Sequence, residues 1–144
     1  MSLFGSLSVS ASGMDAQRAR AEVLAENLAN SETTRTPEGG PYRRKDVVFQ
    51  SSSVESPFAS EFQSALEGQG VKVAGISVDQ RPPEKRYLPG HPDADADGYV
   101  AYPAINPVME MVDLMGSVRA YQLNASAVAA AKQMIQQTID ILKS

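Results

Sequence analysis

Cysteine and tryptophan are absent from the 144 residues, and histidine occurs once, at His91. The first absence removes disulfides, thiol nucleophiles and cysteine metal sites together. The lone histidine leaves His-rich metal sites and most imidazole catalysis without material. Aromatic residues are 6% of the chain, so the core is expected to be aliphatic and alanine-based. Basic side chains are outnumbered, 13 Lys and Arg against 17 Asp and Glu, which argues against a nucleic-acid binder with its strongly basic face. No apolar run approaches the ~18–20 residues that span a bilayer, so direct membrane insertion is not expected and the chain reads as soluble. The opening MSLFGSLSVS has neither a basic start nor a continuous apolar stretch. A cleavable secretory signal is therefore not expected, and any export would use a route that does not read one.

Proline and glycine are unevenly spread. All nine prolines lie between positions 37 and 107, and seven of the ten glycines lie between 39 and 98. Proline removes a backbone donor and clashes with the preceding helical turn, so the chain divides into helix, irregular insert and helix. The expected fold is mainly α, with a terminal helical domain made of 1–34 and 106–144. Residues 35–105 form a loop- and strand-rich insert between them.

The C-terminal segment has the clearest period. Met111, Leu114, Val118, Tyr121, Ala125, Val128, Lys132, Ile135, Ile139 and Leu142 follow steps of three and four, and all but Lys132 are apolar or amphipathic. That is a heptad seam over more than four repeats, with Lys132 or its neighbour Ala131 filling one place. Asn106 is a capping residue, Pro107 suits the first helical position, and Glu110 and Asp113 favour the positive end of the helix dipole. Near the N-terminus, Leu7, Met14, Ala21 and Leu28 recur every seven residues, and Leu24 adds a second row. Gly5 and Gly13 lower helix propensity, so the first dozen residues are expected to fray. Neither stripe can be buried by its own helix, so the two ends should pack on each other, on neighbouring copies, or on both. Ala125, Ala127, Ala129, Ala130 and Ala131 leave several sides of the second helix smooth, which suits a multi-subunit bundle.

In the insert, Lys45–Phe49, Val71–Val78, Arg86–Leu88 and Gly98–Tyr102 read as strands. The Ser- and Glu-rich stretch 51–69 reads as a surface linker with one helical turn around Phe58–Leu66. Asp93, Asp95 and Asp97 before Gly98 match the first six positions of an EF-hand loop. The twelfth position is Ala104 rather than a bidentate Glu, and Pro103 and Pro107 flank it where the exit helix should begin. The plainer reading is an acidic turn whose carboxylates bond nearby amides. Arg43, Arg44 and Lys45 form the densest basic cluster, but residues 35–105 hold eight basic and ten acidic side chains. Such a run is ordinarily a solvated strand end or a contact to an acidic neighbour. No paired carboxylates stand out, and the serines have no base partner except His91, so neither an enzyme nor a cofactor is expected.

Four stretches carry a resemblance. LAENLANSETT (Leu24–Thr34) resembles the N-terminal signature of bacterial flagellar axial proteins, the rod and hook family. RTPEGGPYRRKDVVF (Arg35–Phe49) is similar to the segment that marks their proximal-rod members. PGHPDADADGYV (Pro89–Val100) and the C-terminal Met109–Asp113 with Arg119–Gln122 and Asn124 are also similar to that family. The resemblance implies a structural subunit of the basal-body proximal rod, which transmits torque across the periplasm. Its terminal helices would form the inner coiled-coil layer of a helical tube around the export channel. Leu24, Asn27, Leu28 and Asn30, with Val118, Tyr121, Asn124 and Val128, would lie in that layer. Tyr42, Arg43, Arg44, the Asp93–Asp97 turn and Tyr99 would belong to the insert touching adjacent subunits. Implied partners are further copies, other rod proteins, the adaptor to the inner-membrane ring, the ring itself, and the type III export apparatus. Non-closing heterologous contacts between long, multi-faced helices do generate filaments. The ends are expected to be largely unstructured before assembly, because their stripes lack partners. The alternatives are another rod component, which Thr36–Phe49 disfavours, and a soluble calcium module on the Asp93–Asp97 turn.

Overall fold

In the computed structural model, residues 3–53 and 69–143 are described. Helix α1 spans Leu3–Ala29 and helix α2 spans Pro107–Lys143. Between them lie strands β1 (Lys45–Ser53), β2 (Gln69–Val78), β3 (Glu84–Tyr87) and β4 (Tyr99–Tyr102). At 37 residues, α2 is about 55 Å long at ~1.5 Å per residue.

Local chemistry sets the helix limits. Asn106 Oδ1 accepts from the amides of Val108 at 3.0 Å and Met109 at 3.3 Å, so the side chain satisfies donors that have no intrahelical acceptor. At the end of α1, Asn30 donates its amide and its Nδ2 to the Glu26 carbonyl, at 3.0 and 2.9 Å. Its Oδ1 accepts from Thr33 at 3.2 Å. Where fraying is expected, α1 is continuous from Leu3 onward. A Cβ added at Gly13 would stand 3.1 Å from the Asn124 side chain. The glycine that weakens helix propensity therefore lets α2 come close, and packing overrides a propensity cost of about 1 kcal/mol.

The strands form two separate pairs, β1 with β2 and β3 with β4. The second pair is antiparallel, with Glu84 opposite Tyr102 and Tyr87 opposite Tyr99. Gly98 feeds β4 at φ +79°, where a Cβ would come within 2.9 Å of the Tyr87 ring, so both the backbone and the space require glycine. Both described ends of the stretch 51–69 expected as a linker are strand instead, because β1 runs on to Ser53 and β2 begins at Gln69. Ladder pairing supplies what the serine-rich composition does not advertise. The helical turn expected around Phe58–Leu66 lies outside the described residues.

Contacts group the chain into two units. The first comprises Arg20–Val47 with Ile76–Gly116, and the second takes its described residues from Met1–Ala19, Val48–Gly75 and Ser117–Ser144. In the first, Leu24, Asn27, Val100 and Pro103 are the largest fully buried side chains. In the second, the buried side chains among the described residues are Ala16, Ser117 and Ala131.

Along α2 the covered row is not the apolar heptad itself. Glu110, Ser117 and Ala131 are buried and Leu114, Asn124, Val128 and Ile135 are half-buried, while Met111, Val118 and Tyr121 are exposed. The row turned inward is thus largely one residue earlier than the apolar seam, and smaller or more polar. Ala131 rather than Lys132 takes the disputed position.

Candidate functional site

The first unit is organised around Asn27, which is 0% exposed. Its Nδ2 donates to the Lys45 carbonyl at 2.8 Å and to Glu110 Oε2 at 3.0 Å. Its Oδ1 accepts from the Lys45 amide at 2.9 Å and from the Tyr42 hydroxyl at 3.1 Å. Two donors and two acceptor sites are the full capacity of a carboxamide, and all four are used within the chain. One side chain on α1 therefore fixes the loop before β1, the first residue of β1 and the first turn of α2.

Glu110 completes the cluster. Its Oε1 accepts from Arg44 Nε at 2.5 Å, and Arg44 also pairs with Asp46 at 3.2 Å. Burial acts against the charged Arg44, but the bond and charge of Glu110, with those of Asp46, outweigh it and hold the guanidinium above its usual range. Burial pushes the Tyr42 phenol up to about 12, and the Glu26 and Glu110 carboxylates add to the shift. Tyr42 is a neutral hydroxyl donor at any physiological pH. Nothing in the sequence pattern singled out Glu110 beyond its favourable place near the helix start. The available signal was an acid on the row that continues through Leu114 and Ser117.

Within the Asp93–Asp97 turn, Asp93 and Asp95 use their carboxylates on the chain. Asp93 accepts from Thr34 at 2.8 Å and pairs with Arg35 at 3.1 Å. Asp95 Oδ1 accepts from the amides of Asp97 at 3.0 Å and Tyr99 at 2.8 Å. Among the described residues no group of three or more His, Cys, Asp or Glu side chains is placed to hold a metal ion. The backbone-bonding reading of the turn describes this geometry. His91 Nδ1 accepts from the Asp93 amide at 3.1 Å.

The residues expected at the assembly surface fall into three groups. Leu24 and Asn27, with Tyr42 of the insert, are buried within the chain. Leu28, Asn30, Leu114, Asn124, Ala125, Val128 and Ile135, with Arg44 and Asp93, are half-buried. Met111, Val118, Tyr121, Ile139 and Leu142, with Arg43, Asp95, Asp97 and Tyr99, are exposed. Beside the exposed seam residues, Val108, Val112, Met115 and Leu123 are 69, 58, 54 and 72% exposed. Large apolar side chains at this exposure form a face of α2 left open among the described residues.

Comparison with known proteins gives concordant matches at both ends. The family described as flagella basal body rod protein matches residues 7–35, and the flagellar basal body rod FlgEFG protein C-terminal family matches residues 96–141. The chain is 43% identical to the flagellar basal-body rod protein FlgC of Bacillus subtilis, over 99% of this chain and 100% of that one. It is 40% identical to FlgC of Borreliella burgdorferi over 99% of each chain, and 38% identical to FlgC of Salmonella typhimurium over 98% of each. With identity of this order from end to end and rod-family matches on both helices, the chain belongs to the FlgC family of flagellar basal-body rod proteins.

Proposed function

We propose that this chain is a structural subunit of the proximal rod of the flagellar basal body, assembling into a helical tube that transmits torque and surrounds the export channel. The observation that carries the reading is the outward face of α2. Val108, Met111, Val112, Met115 and Val118 stand exposed on successive turns, while the small and polar row faces inward. Burying each such side chain contributes about 1.5–3 kcal/mol, which neighbouring subunits can supply. Further copies, other rod proteins and the adaptor to the inner-membrane ring are the partners this predicts, with delivery by the flagellar type III apparatus. The role needs many simultaneous contacts and no catalytic step. The half-buried residues Leu114, Asn124, Val128 and Ile135 contribute to the same helical layer, and Arg43 and Tyr99 to contacts from the insert.

The test is a density map of intact basal bodies from a strain carrying a photo-crosslinker at Met115. Subunit-to-subunit adducts, with α2 in the inner wall of the rod, are the expected result. Adducts restricted to a protein outside the rod would overturn the reading.

A further inference from the structure

The chain has no cysteine and six methionines. Thioethers are therefore the sulfur that a two-electron oxidant meets here, with no thiolate to consume it first. Methionine ordinarily belongs among the buried residues. The described methionines depart from that pattern: Met109, Met111, Met115 and Met134 are each at least half exposed, and Met14 is half-buried.

Met111 and Met115 differ from the other two exposed methionines in their surroundings. They stand four residues apart on α2, one turn from each other on one face. Together with Val108, Val112 and Val118 they make up its outward apolar row. The fold of the first unit does not depend on them. Its largest fully buried side chains are Leu24, Asn27, Val100 and Pro103, and the first turn of α2 is anchored through Glu110 to Arg44 and Asn27. A change of chemistry at Met111 and Met115 therefore alters the surface and leaves the internal contacts in place. A thioether is apolar and adapts to irregular packing, whereas a sulfoxide is polar and chiral. Burying its oxygen without a donor carries the cost of an unpaired polar group. Two such oxygens one turn apart make a face that water solvates and an apolar partner does not.

We propose that Met111 and Met115 are oxidation sites for hydroperoxides, and that their sulfoxides keep a free subunit from burying this face of α2. The Sδ lone pair attacks one peroxide oxygen and the O–O bond breaks. With hydrogen peroxide, one oxygen is transferred to sulfur and the other leaves as water with both protons. The sulfur loses two electrons and the peroxide gains them. Sulfoxide reductases, one for each epimer, reverse the change, taking two electrons from a dithiol and releasing the oxygen as water. The oxidation rests on exposure and chemistry alone; its effect on assembly rests on the rod reading above.

Three measurements test it. The purified full chain is treated with hydrogen peroxide, and each methionine is followed by peptide mapping and mass spectrometry. Met111 and Met115 are expected to gain one oxygen each ahead of Met14, with the melting temperature of the oxidised chain within a few degrees of the parent. Oxidation no faster than at Met14, or unfolding that accompanies it, overturns the sites. In intact basal bodies given the same dose, both positions should be oxidised about tenfold more slowly or less, because a covered sulfur is reached only when its contact opens. Equal rates in the free and assembled protein overturn the link to assembly. In cells, Met111→Gln combined with Met115→Gln, which sets an amide dipole where each sulfoxide would stand, should abolish swimming and rod completion, with the purified variant melting within a few degrees of the parent. If the double variant fails to fold, Met115→Gln alone replaces it, with reduced swimming expected. Parental swimming by the folded variant overturns the proposal. A strain lacking this chain separates the two readings: swimming by that strain defeats the rod reading, whereas a non-swimming deletion beside a swimming, folded Gln variant defeats the oxidation control alone.

Discussion

In the first unit, large or polar buried side chains find their partners inside the chain. Asn27 fills its whole hydrogen-bonding capacity, Glu110 meets Arg44, and Leu24 and Val100 are covered. Among the described residues of the second unit the buried side chains are Ala16, Ser117 and Ala131, whereas Leu123, Met134, Ile141 and Leu142 are at least half exposed. There the buried Oε1 of Gln17 has no hydrogen-bond partner among the described residues. The same two helices supply both regions. The difference teaches that the row of α2 covered within the chain is distinct from its most exposed apolar row, sharing only Leu114, Val128 and Ile135 with the heptad.

Several substitutions would break or sharpen this contrast. The largest effect is expected from Glu110→Ala, which leaves an Asn27 donor unpaired in a buried site and Arg44 with Asp46 as its remaining carboxylate. A loss of about 3–5 kcal/mol by urea denaturation follows from breaking a buried pair on one side. Leu24→Ala should cost about 3 kcal/mol, whereas Ala131→Gly, in the second unit, should cost only about 1 kcal/mol through helix propensity. Equal losses would erase the distinction between the units. The Tyr42 phenol gives a pH signature. Its folded-state value of about 12 lies above the ordinary 10, so its contribution is intact below about pH 10 and is lost as the pH climbs through about 12. Denaturation midpoints across that window should fall in the parent, and Tyr42→Phe should remove that component. The smallest stability effect belongs to Met115→Ser, within about 0.5 kcal/mol for an exposed side chain. The same variant should nevertheless impair rod assembly in cells, which separates folding from association.

Much of this architecture is legible in local patterns. The proline-free ends, the Asn106 cap and Pro107 locate α2, and alternation near Val71–Val78 locates most of β2. The cluster that fixes the first unit is not legible in the same way. Asn27 and Glu110 are separated by 83 positions, and no period connects a carboxamide near the end of one helix to an acid near the start of another. The inward register of α2 was hidden for a related reason. Hydrophobicity identifies the row with the greatest apolar area, but close approach at Gly13 and Asn124 selects the row with small side chains. Apolar periodicity therefore marked a row that is largely exposed in the chain, while the internal seam needed coordinates.

The saturation of Asn27 narrows its chemical alphabet to a single letter. Aspartate offers no amide hydrogens and would set a second negative charge beside Glu110. Leucine is close in volume but would strand Lys45, Tyr42 and Glu110 together. Glutamine carries the right head group on a stem one carbon too long for a site with no free surface. Shape, polarity and reach each reject a different replacement, so a library randomised at this codon and screened for folded protein should return asparagine alone.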